Sequence, residues 1–297
     1  MNKIIAVWGP TGAPGRTTVA INVAAELAEL GNRVLLIDAD TYGGAIAPLL
    51  GLVDEASGLA AVCRLAEQGT LASEDIQRLS QQVPTRSGQL HVLSGIVKTD
   101  RWPELSADRI KKVLGVARES SGVIVVDVGF NLETDEEITS DLFAPRRNGA
   151  TLTVLKEADC IVEVSGSDAL GIARFIRAHD QLVEEFPESL RIIVVNKVRT
   201  GLEAVGAASA ASTLSRYAGL HDVHELVFDD KATGHSLMAC APLLSSAPKS
   251  KLRKQIQLLA LELSPVGKVT ELKQNRFARS RKQESASGQS ELHLDSA

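Results

Sequence analysis

Trp8-Gly-Pro-Thr-Gly-Ala-Pro-Gly-Arg-Thr-Thr18 joins a short apolar run, Ile4–Trp8, to an alanine-rich stretch with helical spacing, Thr17–Leu30. A loop that holds phosphate needs small residues, so that backbone N–H groups can converge on the anion. It then needs a cation, a hydroxyl that can ligate Mg²⁺, and a helix N-terminus whose dipole favours negative charge. Gly12, Gly15, Arg16, Thr17 and Thr18 supply these in the required order. The strict pattern G-x-x-x-x-G-K-[ST] fails twice, at Pro10 in place of its first glycine and at Arg16 in place of its lysine. The strand before and the helix after separate the segment from an ordinary Gly/Pro turn.

Outward from this loop, short β-branched runs alternate with longer helical patterns, the sign of repeated βαβ units. The spacing predicts strands at Ile4–Trp8, Val34–Ile37, Leu90–Leu93, Gly122–Val128, Cys160–Val164, Arg191–Val195 and Val223–Phe228. It predicts helices over Thr17–Leu30, Gly58–Gln68, Ala107–Glu119, Ala169–Glu185, Glu203–Tyr217 and Lys249–Leu263. Gly122–Val128 is apolar almost throughout, as a parallel strand covered on both faces must be. The expected class is α/β: an open, mostly parallel twisted sheet with helices on both faces, spanning residues 1–263. Residues 264–297 lose the periodicity and read as a disordered polar tail. The tail holds six of the 32 basic and four of the 37 acidic side chains, and Lys273, Arg276, Arg279, Arg281 and Lys282 crowd together in it. That cluster is either a solvated arm or a contact for an anionic partner.

The formal net charge of −5 argues against a dedicated duplex reader, so DNA binding by residues 1–263 is not expected. No apolar run approaches the ~18 residues of a membrane-spanning helix. Gly9-Pro10 stops the first apolar run too early for a signal peptide. Cys63, Cys160 and Cys240 form neither a CxxC site nor a disulfide framework, so the expected compartment is cytoplasmic. Lys249–Leu263 carries Leu252, Ile256, Leu259 and Leu263 at helical spacing behind a basic start. This describes either a membrane-surface helix or one packed on the sheet, and the second is the expectation.

The loop resembles the deviant Walker A motif, K-G-G-x-G-K-[ST], of the ParA/MinD family of SIMIBI P-loop ATPases. It is most similar to the CpaE/TadZ-like branch, whose motif is often degenerate. Val34-Leu-Leu-Ile-Asp38-Ala-Asp40 resembles the family's second motif, and Val123-Ile-Val-Val-Asp127 its Walker B strand. Val194-Val-Asn196-Lys197 is similar to the strand end that recognises adenine, and Pro242 with Ser246–Pro248 to the segment before the last helix.

The resemblance implies binding of ATP and Mg²⁺ by Gly12, Ala13, Pro14, Gly15, Arg16, Thr17 and Thr18. Thr17 would ligate the metal, Thr18 would contact the α-phosphate, and Asp38 and Asp127 would hold metal-bound waters. Asp40 would orient or activate the attacking water, Arg16 would serve catalysis, and Asn196 would bond the adenine edge. Carboxylates at the carboxyl ends of parallel strands suit such a crevice.

The departures carry their own expectation. Thr11 stands where the family holds the signature lysine that reaches a partner subunit's phosphates, and Pro14 lacks an N–H. Arg16 offers a planar fork in place of a compact ammonium. Phosphoryl transfer depends on positioning and charge, so the expected turnover is slow while binding is retained. Arg146 or Arg147 could replace the missing cation, or form a solvated basic pair; Asp100-Arg-Trp-Pro-Glu-Leu105 is either a capped helix start or an interaction surface.

The resemblance therefore implies a homodimer that positions or assembles an envelope pilus or secretion machine through a protein partner. It would be cytoplasmic or held peripherally at the inner membrane or a cell pole by that partner. No receiver-like domain is expected before the first strand. The alternatives are a chromosome or plasmid partition ATPase with nonspecific DNA binding, or a non-hydrolysing scaffold. An iron–sulfur scaffold of the same superfamily would need paired cysteines.

Overall fold

Ile5 and Val7 pack into one hydrophobic layer, while Ile4, Ala6 and Trp8 pack into another. The run is apolar throughout because both faces of its strand are covered. The computed structural model describes residues 2–12, 14–52, 57–134, 146–199 and 209–265. Among these residues eight strands form one sheet: β1 (Lys3–Trp8), β2 (Arg33–Ala39), β3 (Gln81–Val83), β4 (Gln89–Leu93), β5 (Val123–Val128), β6 (Cys160–Gly166), β7 (Arg191–Val198) and β8 (Val223–Val227). Their order is β3-β4-β2-β5-β1-β6-β7-β8, and only the β3–β4 pair is antiparallel.

The helices are α1 (Arg16–Glu29), α2 (Ile46–Leu49), α3 (Gly58–Gln68), α4 (Ser73–Leu79), α5 (Ala107–Ser120), α6 (Gly149–Glu157), α7 (Ala169–Glu185), α8 (Ala210–Ala218), α9 (Asp230–Ala239), α10 (Leu243–Ser246) and α11 (Lys251–Leu263). Helices α1 and α11 cover the face that carries Ile5, Val34, Leu36, Val123 and Val125. Helices α3, α5 and α6 cover the face of Ile4, Leu35, Ile37, Ile124 and Val126. Helices α7 and α8 close a smaller cluster over Ile193 and Val195. The α/β class with helices on both faces is thus the observed one.

Alanines dominate α1 because it lies between the sheet and α11, with Val19 to Ala28 all buried. Its one deeply buried acid, Glu26, meets Arg253 of α11 at 2.7 Å. Leu252, Ile256, Leu259 and Leu263 are buried in that packing, so the apolar stripe of α11 is spent on the sheet and not offered to a membrane. Among the described residues no helix is long and apolar enough to cross a membrane.

Helices α2, α4, α6, α9 and α10 and strand β3 are additions to the elements legible in the sequence. Thr151, Thr153 and Val154 give α6 a β-branched run, yet burial of Ala150, Val154 and Leu155 holds it helical. Helix α9 runs unbroken through Gly234, a weak helix former, and its start is secured by Asp229 accepting from the Ala232 N–H. Thr99–Glu104 is a 3₁₀ turn in which Arg101 pairs with Glu104 and Trp102 packs on the core, so this segment is a structural lead into α5. The helix expected over 203–217 is described only as α8, and the tail from 266 lies outside the described residues, as does the basic cluster within it.

Candidate functional site

The carboxyl ends of β1, β2 and β5 converge where the strand order reverses, the place at which an open α/β sheet leaves a crevice. Strand β1 delivers the loop 9–15, whose Ala13 lies outside the described residues. Gly12 and Gly15 both have positive φ, 108° and 99°, which a side-chain-bearing residue rarely adopts. Gly15 caps α1, and the Val19 N–H donates to its carbonyl at 3.0 Å. A Cβ on Gly15 would stand 2.3 Å from the Asn196 amide nitrogen. Both the turn and the close approach therefore demand glycine here.

Asn196 reaches the loop from the end of β7. Its Nδ2 donates to the Pro14 carbonyl at 2.8 Å, and its Oδ1 accepts from the Lys197 N–H at 2.8 Å. Both ends of the amide are thus used within the chain, and Pro14, which lacks a donor, serves as acceptor. Arg16 does not project freely. Its Nη1 donates to the Gly9 and Pro10 carbonyls at 2.9 and 3.1 Å, and its Nη2 lies 3.6 Å from Asp40 Oδ2. Thr17 and Thr18 follow in the first turn of α1, and the Thr18 carbonyl accepts from Asn22, which in turn accepts from the Leu243 N–H.

Asp38 and Asp127 are register partners on adjacent strands, both fully buried. Asp38 accepts from the Ile46 and Asp40 N–H groups at 3.0 and 3.3 Å. Burial pushes its carboxyl up to about 7; the Ile46 N–H opposes this and the nearby Asp40 charge adds to it. Neither oxygen of Asp127 has a hydrogen-bond partner among the described residues. Burial and the Asp38 charge raise its carboxyl well above the usual range, although the Thr17 hydroxyl and the Arg16 charge pull the other way. Two adjacent buried carboxyls, one of them unpartnered, are costly unless a cation or protons compensate them.

Asp40 is more engaged. It accepts from the Tyr42 and Gly43 N–H groups at 2.8 and 3.3 Å, in addition to its ion pair with Arg16. Arg147 packs over the Tyr42 ring, 4.0 Å from its centroid, and donates to the Thr41 carbonyl at 3.3 Å. It braces the loop that follows Asp40, while Arg146 is exposed.

The donor set suits Mg²⁺, which takes one or two carboxylates and a hydroxyl, keeps several waters and otherwise relies on ligand phosphates. Asp127, Asp38 and Thr17 would hold it.

Three residues of the site escape a reading by motif. Gly44 and Gly95 wall Asp38, since a Cβ on either would come within 3.0 Å of its carboxylate. Gly44 follows Tyr42-Gly43 and announces a turn, whereas nothing in the sequence around Gly95 points to β2. Arg174 of α7 lies against Gly12, its Nη1 2.5 Å from where a Cβ would stand. Only the packing of α7 brings it there. Of the cysteines, Cys63 and Cys160 are buried, and burial pushes their thiols up to about 12 and about 11.

The family described as the CobQ/CobB/MinD/ParA nucleotide binding domain matches the chain over residues 5–227. The ParA family ATPase of Chlorobium tepidum TLS superposes with a TM-score of 0.71 at 19% identity, covering 89% of this chain and 99% of that one. The septum site-determining protein MinD of Pyrococcus horikoshii OT3, solved with Mg-ADP, superposes with a TM-score of 0.65 at 17% identity, over 91% of this chain and 98% of that one. An iron–sulfur cluster carrier protein of Aquifex aeolicus is 48% identical over 55 residues, 18% of this chain. That match spans 15% of the relative's length.

Proposed function

The chain belongs to the CobQ/CobB/MinD/ParA nucleotide binding domain family, and we propose that it binds ATP with Mg²⁺ at the loop 9–18 and hydrolyses it slowly. The observation that carries this reading is Asp127, a buried carboxylate beside Asp38 that has no hydrogen-bond partner among the described residues and lies within the influence of the Thr17 hydroxyl and the Arg16 charge at the start of α1. Mg²⁺, when bound, would neutralise carboxylate and phosphate charge together. Gly12 and Gly15 open the loop backbone to phosphate oxygens, and Thr17 presents its hydroxyl from the first turn. Asp40 orients the attacking water, but three donors already compete for its oxygens. Arg16 is held by loop carbonyls and by Asp40, so part of its hydrogen-bonding capacity is spent before a phosphate arrives. Slow turnover follows from both features, together with the absence of a lysine at position 11.

At the level of the cell, this reading makes the chain a spatial positioning or assembly factor of CpaE/TadZ type. It would act as a homodimer on a protein partner in an envelope pilus or secretion machine, and be cytoplasmic or recruited peripherally by that partner. The likeness to a septum site-determining protein of Pyrococcus supports positioning as a class of activity. The likeness to a ParA ATPase keeps a second reading in play, a partition ATPase with nonspecific DNA binding. An iron–sulfur role gains no support from two buried cysteines with raised thiols.

Calorimetric titration with ATP and ADP, with and without Mg²⁺, alongside phosphate release, tests the core of the proposal. We expect Mg²⁺-dependent binding and very slow release of phosphate. No binding of either nucleotide would leave the non-hydrolysing scaffold as the better reading.

A further inference from the structure

We propose that Arg174 of α7 is the cation that recognises the terminal phosphate of a nucleoside triphosphate at this site, supplied in cis. The proposal rests on the nucleotide-binding reading above and extends it to a residue outside every motif of the sequence. Arg174 Nη1 lies 2.5 Å, and its Cζ 3.6 Å, from the point where a Cβ of Gly12 would stand. The guanidinium thus covers the outer face of Gly12, and a side chain at that position would strike it.

Gly12 is the residue after Thr11, and both are exposed at the mouth of the loop. Thr11 brings no charge. Arg16, the other cation of the loop, is turned back on the Gly9 and Pro10 carbonyls and on Asp40. Among the described residues no hydrogen-bond or ion-pair partner of Arg174 is found, although it is half-buried. A guanidinium held against a phosphate-type loop without a carboxylate of its own retains its donors for an incoming anion. Its planar fork matches two phosphate oxygens at once.

The fold also explains why Arg174 is held at this spot. Helix α7 is fastened to β6 by His179, whose Nδ1 lies 2.8 Å from Oε2 of the buried Glu163, and Arg191 approaches the same carboxylate at 3.6 Å. Phe175 is fully buried beside it, and Asp168 caps the helix through the Gly171 N–H. Arg174 therefore projects from a helix that is anchored at its start and along its buried side.

The test compares the full-length protein with Arg174→Ala, Arg174→Lys and Arg174→Ala/Thr11→Lys, titrated with Mg-ATP and Mg-ADP. Thermal unfolding without nucleotide serves as the check on folding. Arg174→Ala should lower ATP affinity about tenfold or more, the scale of a lost charged hydrogen bond, and lower ADP affinity much less. Arg174→Lys should retain part of the ATP preference, and the double variant should recover some of it, because either restores a cation near Gly12. An ATP-to-ADP affinity ratio in Arg174→Ala equal to that of the wild type, with ADP still bound, overturns this assignment and leaves the nucleotide reading intact. A wild type that binds neither nucleotide overturns both.

Discussion

Arg16 links the two halves of the candidate site, since its guanidinium bonds the loop carbonyls on one side and meets Asp40 on the other. Arg16→Ala should weaken ATP binding by about 1.5–3 kcal/mol, and Arg16→Lys by less, because lysine keeps the charge. Calorimetry checks this, and equal affinities in Arg16→Ala and wild type would remove the loop from the site. Asp127 supports a prediction of a different kind. Asp38 has its folded value raised to about 7 from the ordinary ~3.9 of an unfolded chain. The folded state then binds protons more tightly across that window. The contribution of this carboxyl to stability without metal is greatest below about pH 4 and falls as the pH rises to about 7. Asp127, raised for the same reason, adds to the fall. Asp127→Asn should therefore raise the melting temperature of the metal-free protein at pH 8, with a smaller gain at pH 5 and little at pH 4. The same variant should lose Mg²⁺-dependent nucleotide binding. A melting temperature lowered at pH 8 would contradict the assigned burden.

At the scale of elements, α1 is the part that couples the site to the core. Its first turn carries Thr17 and Thr18, its middle packs on the sheet, and its end is tied to α11 through Glu26 and Arg253, 2% and 18% exposed. Removing one partner of such a buried pair leaves an uncompensated charge. Arg253→Met should cost about 3 kcal/mol, whereas Glu26→Gln/Arg253→Met should recover much of that loss. Chemical denaturation of the three proteins measures it, and equal losses in the single and double variants would show that the pair is not coupled. Gly15→Ala acts at the other end of α1. The positive φ and the Asn196 amide both resist a methyl group, so the variant should bind nucleotide poorly even where it folds.

At the scale of the whole molecule, the proposed site has a neutral Thr11 in place of a cross-subunit cation, which predicts that nucleotide drives association weakly. We expect a dimer that responds little to ATP in sedimentation, with turnover far below the ~1–100 s⁻¹ of efficient phosphoryl transfer. Arg147 braces the loop after Asp40, so Arg146→Ala/Arg147→Ala should disturb that loop more than it alters any dimer. Complete conversion to dimer by ATP with brisk hydrolysis would overturn the slow-turnover reading. DNA association, if present, should come from the Lys273–Lys282 cluster and fade with salt. Replacing the five basic residues there with Gln in the full chain should abolish it. Duplex binding that survives the replacement would favour the partition reading.

The class of fold and the place of the loop were legible in the sequence, because both follow from local patterning. A strand buried on both faces must be apolar along its covered length, as Ile4–Trp8 and Val123–Val126 are, and a left-handed turn before a helix needs glycine. Local patterning put Asp38 and Asp127 at the ends of strands and the family resemblance joined them in one site, while only the sheet order made them register partners on adjacent strands. Helices α2, α4, α6, α9 and α10 were not legible, since short or β-branched segments become helical only when the core holds one face. Tertiary structure alone decided what surrounds the charges. It turned Arg16 inward, spent the Asn196 amide on Pro14, set Gly44 and Gly95 against Asp38, and laid Arg174 on Gly12. Asn196 and Pro14 lie 182 positions apart, Arg174 and Gly12 162, and Gly95 and Asp38 57, and local periodicity carries no information about which side chains will meet at such distances.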